Sequence, residues 1–225
     1  DQLIHDVAIQ NLQVIFCIDR GGLVGADGET HQGVFDIAYL RCIPNLIVSS
    51  PINEEELRNL MYTAQSKNFG PFCIRYPRGQ GVMKKINTKF KKIKIGTGTE
   101  LLKGKIVACI TFGPIGNDVC EVAKNLSKRN IHIGVYNLRF VKPLDEKLLH
   151  NIFSLYDCII TVEDGCVQGG MGSAILEFSA LNNYYKKIKL LGIPDKFIPH
   201  GGPDKQKKYC GIDKKSISQN IEKLY

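Results

Sequence analysis

Short, almost wholly apolar runs alternate along this chain with segments whose apolar residues recur at helical spacing, and that alternation constrains the fold more than any other feature. The runs fall at 14–18, 46–49, 72–76, 106–112, 131–136, 158–162 and 188–193. Strands buried on both faces read as continuous apolar runs, and helices between them imply crossover connections. The pattern predicts an α/β protein of two domains, each a mostly parallel sheet flanked by helices. The first, residues 1–82, opens on a helical stretch (Leu3, Ile4, Val7, Ala8) with no strand in front of it, so its sheet is expected to be incomplete. Its later helix carries the clearest start signal. Asn53 is placed to cap it, and Glu54, Glu55 and Glu56 bring negative charge to the end of the helix dipole that favours it. That helix is expected to reach about Lys67. The second domain, residues 105–225, is expected to hold helices at 117–128, 146–153, 172–181 and 216–223.

Charge and cysteine placement exclude several function classes. The net charge is +8, but residues 1–81 hold six Lys/Arg against nine Asp/Glu, residues 82–105 eight against one, and residues 106–225 sixteen against twelve. The excess is therefore concentrated in a connector, residues 83–104, that lacks the aromatic interleaving of a single-strand nucleic-acid binder. A solvated linker is expected, and no nucleic-acid partner. Of the eight cysteines, Cys17, Cys73, Cys109 and Cys158 lie inside apolar runs, no CxxC pair occurs, and no Cys/His spacing suits zinc. The pattern is that of free thiols in a reducing compartment, without a metal site. No apolar run approaches the ~20 residues of a membrane helix, so no membrane partner is expected.

Chemistry concentrates in residues 19–33, Asp-Arg-Gly-Gly-Leu-Val-Gly-Ala-Asp-Gly-Glu-Thr-His-Gln-Gly. Arg20, Asp27 and His31 project from a glycine-rich loop just past the end of a predicted strand, where open parallel sheets bind ligands. Loops of this length inside a compact domain usually carry function. Plainer readings stay open. Arg20 can pair with Asp19 or Glu29, Asp27 can serve as a loop-stabilising side chain, and His31 can be a satisfied loop histidine. Arg78 can cap the turn after Pro77, and Arg75, on a strand, is expected in a structural ion pair. His5, His132, His150 and His200 are expected to be structural. A second glycine-rich turn at 162–173 matches only part of a dinucleotide fingerprint, since Ile175 stands at the third glycine position; close packing at a helix start explains it.

The segments IDRGGLVGADGETHQGVFDIAYLRCIPN and RYPRG, with LRFVKPLD, TVEDGCVQGGMGSAI and GIPDKFIPHG, closely resemble the 1-deoxy-D-xylulose-5-phosphate synthase family of the transketolase superfamily, over essentially the whole chain. The resemblance implies the rear part of a pyrimidine-binding domain at 1–82 and a transketolase-type carboxy-terminal domain at 105–225. Arg20 and Arg78 would then bind the phosphate of glyceraldehyde 3-phosphate, because guanidinium forks match phosphate oxygens. His31 would contact the pyruvate-derived adduct or relay a proton, and Asp27 would orient His31 or hold a substrate hydroxyl. The cofactors implied are thiamine diphosphate and magnesium, bound mainly by an amino-terminal segment that is absent here. Asp27-Gly28 does not continue into a magnesium-ligand run. The expected partners are that segment and a second copy in a homodimer, the expected compartment is a plastid-type organelle or a bacterial cytoplasm, and this portion alone is expected to be inactive. Two rivals are a β subunit of a 2-oxo acid dehydrogenase and a basic RNA-binding module. RYPRG and GADG argue against the first, and the confinement of the charge to one connector argues against the second.

Overall fold

The computed structural model describes all residues except 67, 68 and 88. Two sheets share the chain. The first has the order β1-β3-β2-β7, built from β1 (Ile15–Ile18), β2 (Ile47–Ser49), β3 (Phe72–Arg75) and β7 (Phe140–Lys142). β3 runs parallel to both β1 and β2, whereas β7 is antiparallel to β2. In the second sheet β4 (Thr99–Leu102), β6 (Gly134–Asn137), β5 (Val107–Phe112), β8 (Cys158–Cys166) and β9 (Lys187–Ile193) lie side by side in that order. Only the β4–β6 pair is antiparallel. The α/β class and the mostly parallel sheets agree with the apolar runs: every residue of β3 and β5 is buried, as parallel strands covered on both faces must be.

Local chemistry sets the helix ends. In α2 (Glu54–Ala64) the Asn53 side chain accepts from the Glu56 N–H at 2.9 Å, the expected cap. The predicted end at Lys67 lies outside the described residues. Asp145 caps α4 (Glu146–Leu155) and Asp213 caps α7 (Lys214–Glu222) in the same way. α3 (Ile115–Ser127) and α5 (Met171–Leu181) lie close to their predicted positions. Two helices went unread in the sequence. α1 (Asp36–Arg41) is too short to show a period, and α6 (Pro203–Cys210) has no apolar stripe, because Gln206 is its one buried residue. Proline at its start and the left-handed Gly211 at its end delimit α6.

The division into 1–82, 83–104 and 105–225 is less clean in space than in sequence. β4, the last part of the basic connector, joins the second sheet, and β7 leaves the second domain to complete the first sheet. Burial drives the latter: Phe140 is fully buried in one cluster with Ile47, Leu60, Phe72 and Ile74. A larger core runs from Ile37 and Leu40 of α1 to Phe153 and Phe178 of α4 and α5, so the two units are packed together. The strand predicted at 158–162 also continues to Cys166, which places Glu163 and Asp164 on β8 rather than in a turn. No helix among the described residues is long and apolar enough to cross a membrane.

Candidate active site

The glycine-rich segment closes into a loop at the carboxyl edge of the first sheet. Gly33 donates to the Arg20 carbonyl at 3.0 Å, Gly22 donates to the Gly33 carbonyl at 2.7 Å, and Gly21 donates to the Tyr76 carbonyl at 2.9 Å. Only glycine fits at 33, where a Cβ would stand 2.5 Å from the Arg20 carbonyl oxygen. The closure leaves Arg20 in the left-handed region, φ +57°, an uncommon backbone for arginine and one that clusters at functional sites. Two single turns follow, Gly25–Asp27 and Glu29–His31.

The loop and the segment after β3 bring three of the four predicted site residues together. Arg78 is ion-paired to Asp27, and the Arg20 Nε lies 3.6 Å from the same carboxylate oxygen. Arg20 also pairs with Asp19 at 2.7 Å, the plainer reading of that residue. The two arginines are 38% and 54% exposed and Asp27 is 23% exposed, so ligand can reach the cluster. Among the described residues the Arg20 Nε–H, shielded from solvent, has no hydrogen-bond acceptor. Two guanidiniums from separate chain segments thus converge on one anionic oxygen.

Among the described residues, the His31 imidazole makes no hydrogen bond or ion pair with that cluster. Its Nδ1 takes the Thr30 hydroxyl as partner at 2.9 Å, and the imidazole is exposed. The Asp27 carboxylate is paired with the arginines rather than with His31.

Beneath the loop lies a charged knot that the sequence showed only in part. Arg75 is 1% exposed; its Nε donates to Asp36 at 2.7 Å, its Nη1 to Asp164 at 2.6 Å and its Nη2 to the Gly33 carbonyl at 2.9 Å. Burial alone would lower its pKa, but Asp164 and Asp36 more than reverse this and keep it charged. The expected ion pair of Arg75 is present, and it joins both domains. Neither partner was legible: Asp36 opens a helix with no period, and Asp164 lay in what read as a turn.

Glu163, beside Asp164, accepts from the N–H groups of Met171 and Gly172 at 2.8 Å each, at the start of α5. A Cβ on Gly172 would meet Thr161 Oγ1 at 2.7 Å and Leu190 Cδ2 at 3.0 Å. The glycine turn is thus packed tightly around its own glutamate. Burial pushes Glu163 up to about 7, against the pull of those two amides. A carboxyl with a raised pKa holds its proton in the folded state at pH values where the unfolded chain has lost it. Its contribution is therefore complete below the ordinary value of 4.5 and is lost as pH rises through about 7. We expect the unfolding free energy from urea titrations to fall between pH 5 and pH 8 by a Glu163 share on the order of 2–3 kcal/mol, and Glu163→Gln to remove that share of the slope.

Comparisons with known proteins fit this geometry. The transketolase pyrimidine binding domain matches residues 1–82, and the transketolase C-terminal domain matches residues 96–217. A 1-deoxy-D-xylulose-5-phosphate synthase of Cytophaga hutchinsonii is 54% identical over all of this chain. Those of Bacteroides thetaiotaomicron and Aquifex aeolicus are 51% and 49% identical over 99% and 98% of it. The chain spans only 35% of the length of each. Among solved structures, one described as a split gene transketolase, inactive beta4 tetramer, has a TM-score of 0.86 at 25% identity, covering 99% of this chain and 70% of that one. A transketolase from Campylobacter jejuni has a TM-score of 0.74 at 18% identity, covering 96% of this chain and 32% of that one, a likeness of fold alone.

Proposed function

Since this chain belongs to the transketolase family, we propose that it forms the phosphate-recognising portion of a 1-deoxy-D-xylulose-5-phosphate synthase, which condenses pyruvate with glyceraldehyde 3-phosphate and releases carbon dioxide. The observation that supports this reading is the convergence of Arg20 and Arg78, two partly exposed guanidiniums, on one oxygen of Asp27. Asp27 occupies the place where a phosphate oxygen would be held. A phosphate carries more charge and more acceptor oxygens than a carboxylate, so it satisfies both forks where Asp27 satisfies one. Of the two substrates only the aldehyde carries a phosphate. His31, reachable from solvent beside the loop, is the group for proton transfer to or from the reacting oxygen.

In this reading thiamine diphosphate would supply the carbanion chemistry, and magnesium would be its companion ion. This chain does not offer a fitting donor set. Among the described residues no group of three or more His, Cys, Asp or Glu side chains could hold a metal, and the loop carboxylates Asp19 and Asp27 face arginines. Both cofactors are read as held mainly by the part of the longer relatives that this chain does not span, and the assembled enzyme as a homodimer in a bacterium or a plastid-type organelle.

The test is Arg78→Ala in the enzyme assembled with that remaining part. Losing one charge-assisted contact of ~2 kcal/mol lowers kcat/KM for glyceraldehyde 3-phosphate roughly 30-fold and leaves pyruvate binding intact. Equal damage to both substrates would assign Arg78 to the fold instead.

A further inference from the structure

The second domain reaches the glycine-rich loop at Gly25 through a buried side chain. Gln206, on α6, is 3% exposed. Its Oε1 accepts from the Gly25 N–H at 3.1 Å, and its Nε2 donates to the Gly25 carbonyl at 3.4 Å and to the Pro199 carbonyl at 2.8 Å. One amide therefore holds both backbone groups of a residue two positions before Asp27. Gly25 is left-handed, φ +70°, and a Cβ there would press on the Gly201 carbonyl and Pro203, each at 3.1 Å. Gly201 donates to the Gly25 carbonyl as well, at 3.3 Å. On the far side of the turn the Gln32 Nε2 donates to the Ile198 carbonyl at 2.7 Å. The segment between β9 and α6 thus grips the glycine-rich loop on both sides of Asp27.

A buried amide that is fully bonded only when the loop sits in one place favours that place over all others. The rest of α6 is exposed or half-buried, and Gln206 is the one residue it buries. We propose that Gln206 is a positioning residue for the phosphate clamp, acting through Gly25 on Asp27 and hence on Arg20 and Arg78. The carboxy-terminal domain then sets selectivity for the phosphorylated aldehyde without touching it. This rests on the assignment of Arg20 and Arg78 to phosphate.

The experiment compares glyceraldehyde 3-phosphate with unphosphorylated glyceraldehyde as acceptors for the assembled enzyme. Gln206→Ala is expected to raise KM for the phosphorylated aldehyde about tenfold, with kcat within about twofold and KM for pyruvate and for glyceraldehyde unchanged. Gln206→Glu has the same length and can still accept from Gly25, but it lacks the donor and should show the same split. A residue with a merely structural role would weaken both aldehydes together. Equal loss for both, no change, or failure of both variants to fold overturns the proposal. Arg78→Ala, run alongside, separates the two assignments. If it leaves discrimination between the aldehydes intact, the phosphate reading fails; if it abolishes discrimination and Gln206→Ala does not, only the role of Gln206 fails.

Discussion

Replacing Arg75 by leucine is expected to destabilise the folded protein by about 3–5 kcal/mol, enough to unfold many domains of ordinary stability. The size follows from what is left behind. Asp36 is 2% exposed and would remain buried with no cation, Asp164 would lose its partner across the domain boundary, and the Gly33 carbonyl would lose its donor. A buried charge stripped of its partner costs far more than the pair contributes. Two further variants locate the effect. Arg75→Lys keeps the charge but cannot span Asp36, Asp164 and Gly33 at once with a single ammonium, so it should recover only part of the loss. Arg75→Leu combined with Asp36→Asn should be less destabilised than the sum of the single changes, because the second removes the charge that the first exposes. Urea unfolding of the unsubstituted protein, Arg75→Leu, Arg75→Lys, Asp36→Asn and the double variant measures all of this. A loss below about 1 kcal/mol for Arg75→Leu would mean that water reaches the carboxylates.

His31→Ala is expected to behave in the opposite manner, slowing turnover of the assembled enzyme by ~10²-fold or more while leaving the melting temperature alone. The side chain is exposed and its hydrogen-bond partner is its neighbour Thr30, so little of the fold depends on it. A general acid or base, by contrast, is needed in every cycle. Because Asp27 is engaged with Arg78 rather than with the imidazole, Asp27→Asn should spare the proton-transfer step and act on the aldehyde instead. Single-turnover measurements on either side of carbon–carbon bond formation distinguish the two. A fall in melting temperature that tracks the loss of activity would return His31 to the ranks of loop histidines.

Much of the architecture was legible because burial on both faces leaves a one-dimensional mark. The runs around Phe72, Val107 and Ile159 are almost wholly apolar, and they became internal strands. The Asn53 cap with its three glutamates was equally plain. Elements held by tertiary partners were not. β7 is three residues long, and α6 owes its place to one buried amide and its terminal proline and glycine. At the site, motif residues could be named from the loop, but their pairing could not. Nothing in the spacing of Asp27 and His31 says that the first turns to Arg78 and the second to Thr30. The anchors Asp36, Asp164 and Gln206 are far from the loop in sequence or lie in segments with no period, so only the folded chain brings them together.

The crossing of β7 into the first sheet also bears on how such a chain is made. On a ribosome, residues 1–82 emerge well before Phe140–Lys142, so β2 must wait with one edge unpaired while the connector and much of the second sheet are synthesised. An unpaired strand edge is a site for misassociation, and pairing across nearly a hundred residues is slow to form. Severing the chain within the connector would therefore give a leading piece with an open edge and a trailing piece with an orphan strand. The basic stretch at 83–104, which looks like a dispensable tether, is the path along which the two halves must remain in reach of each other until that strand is seated.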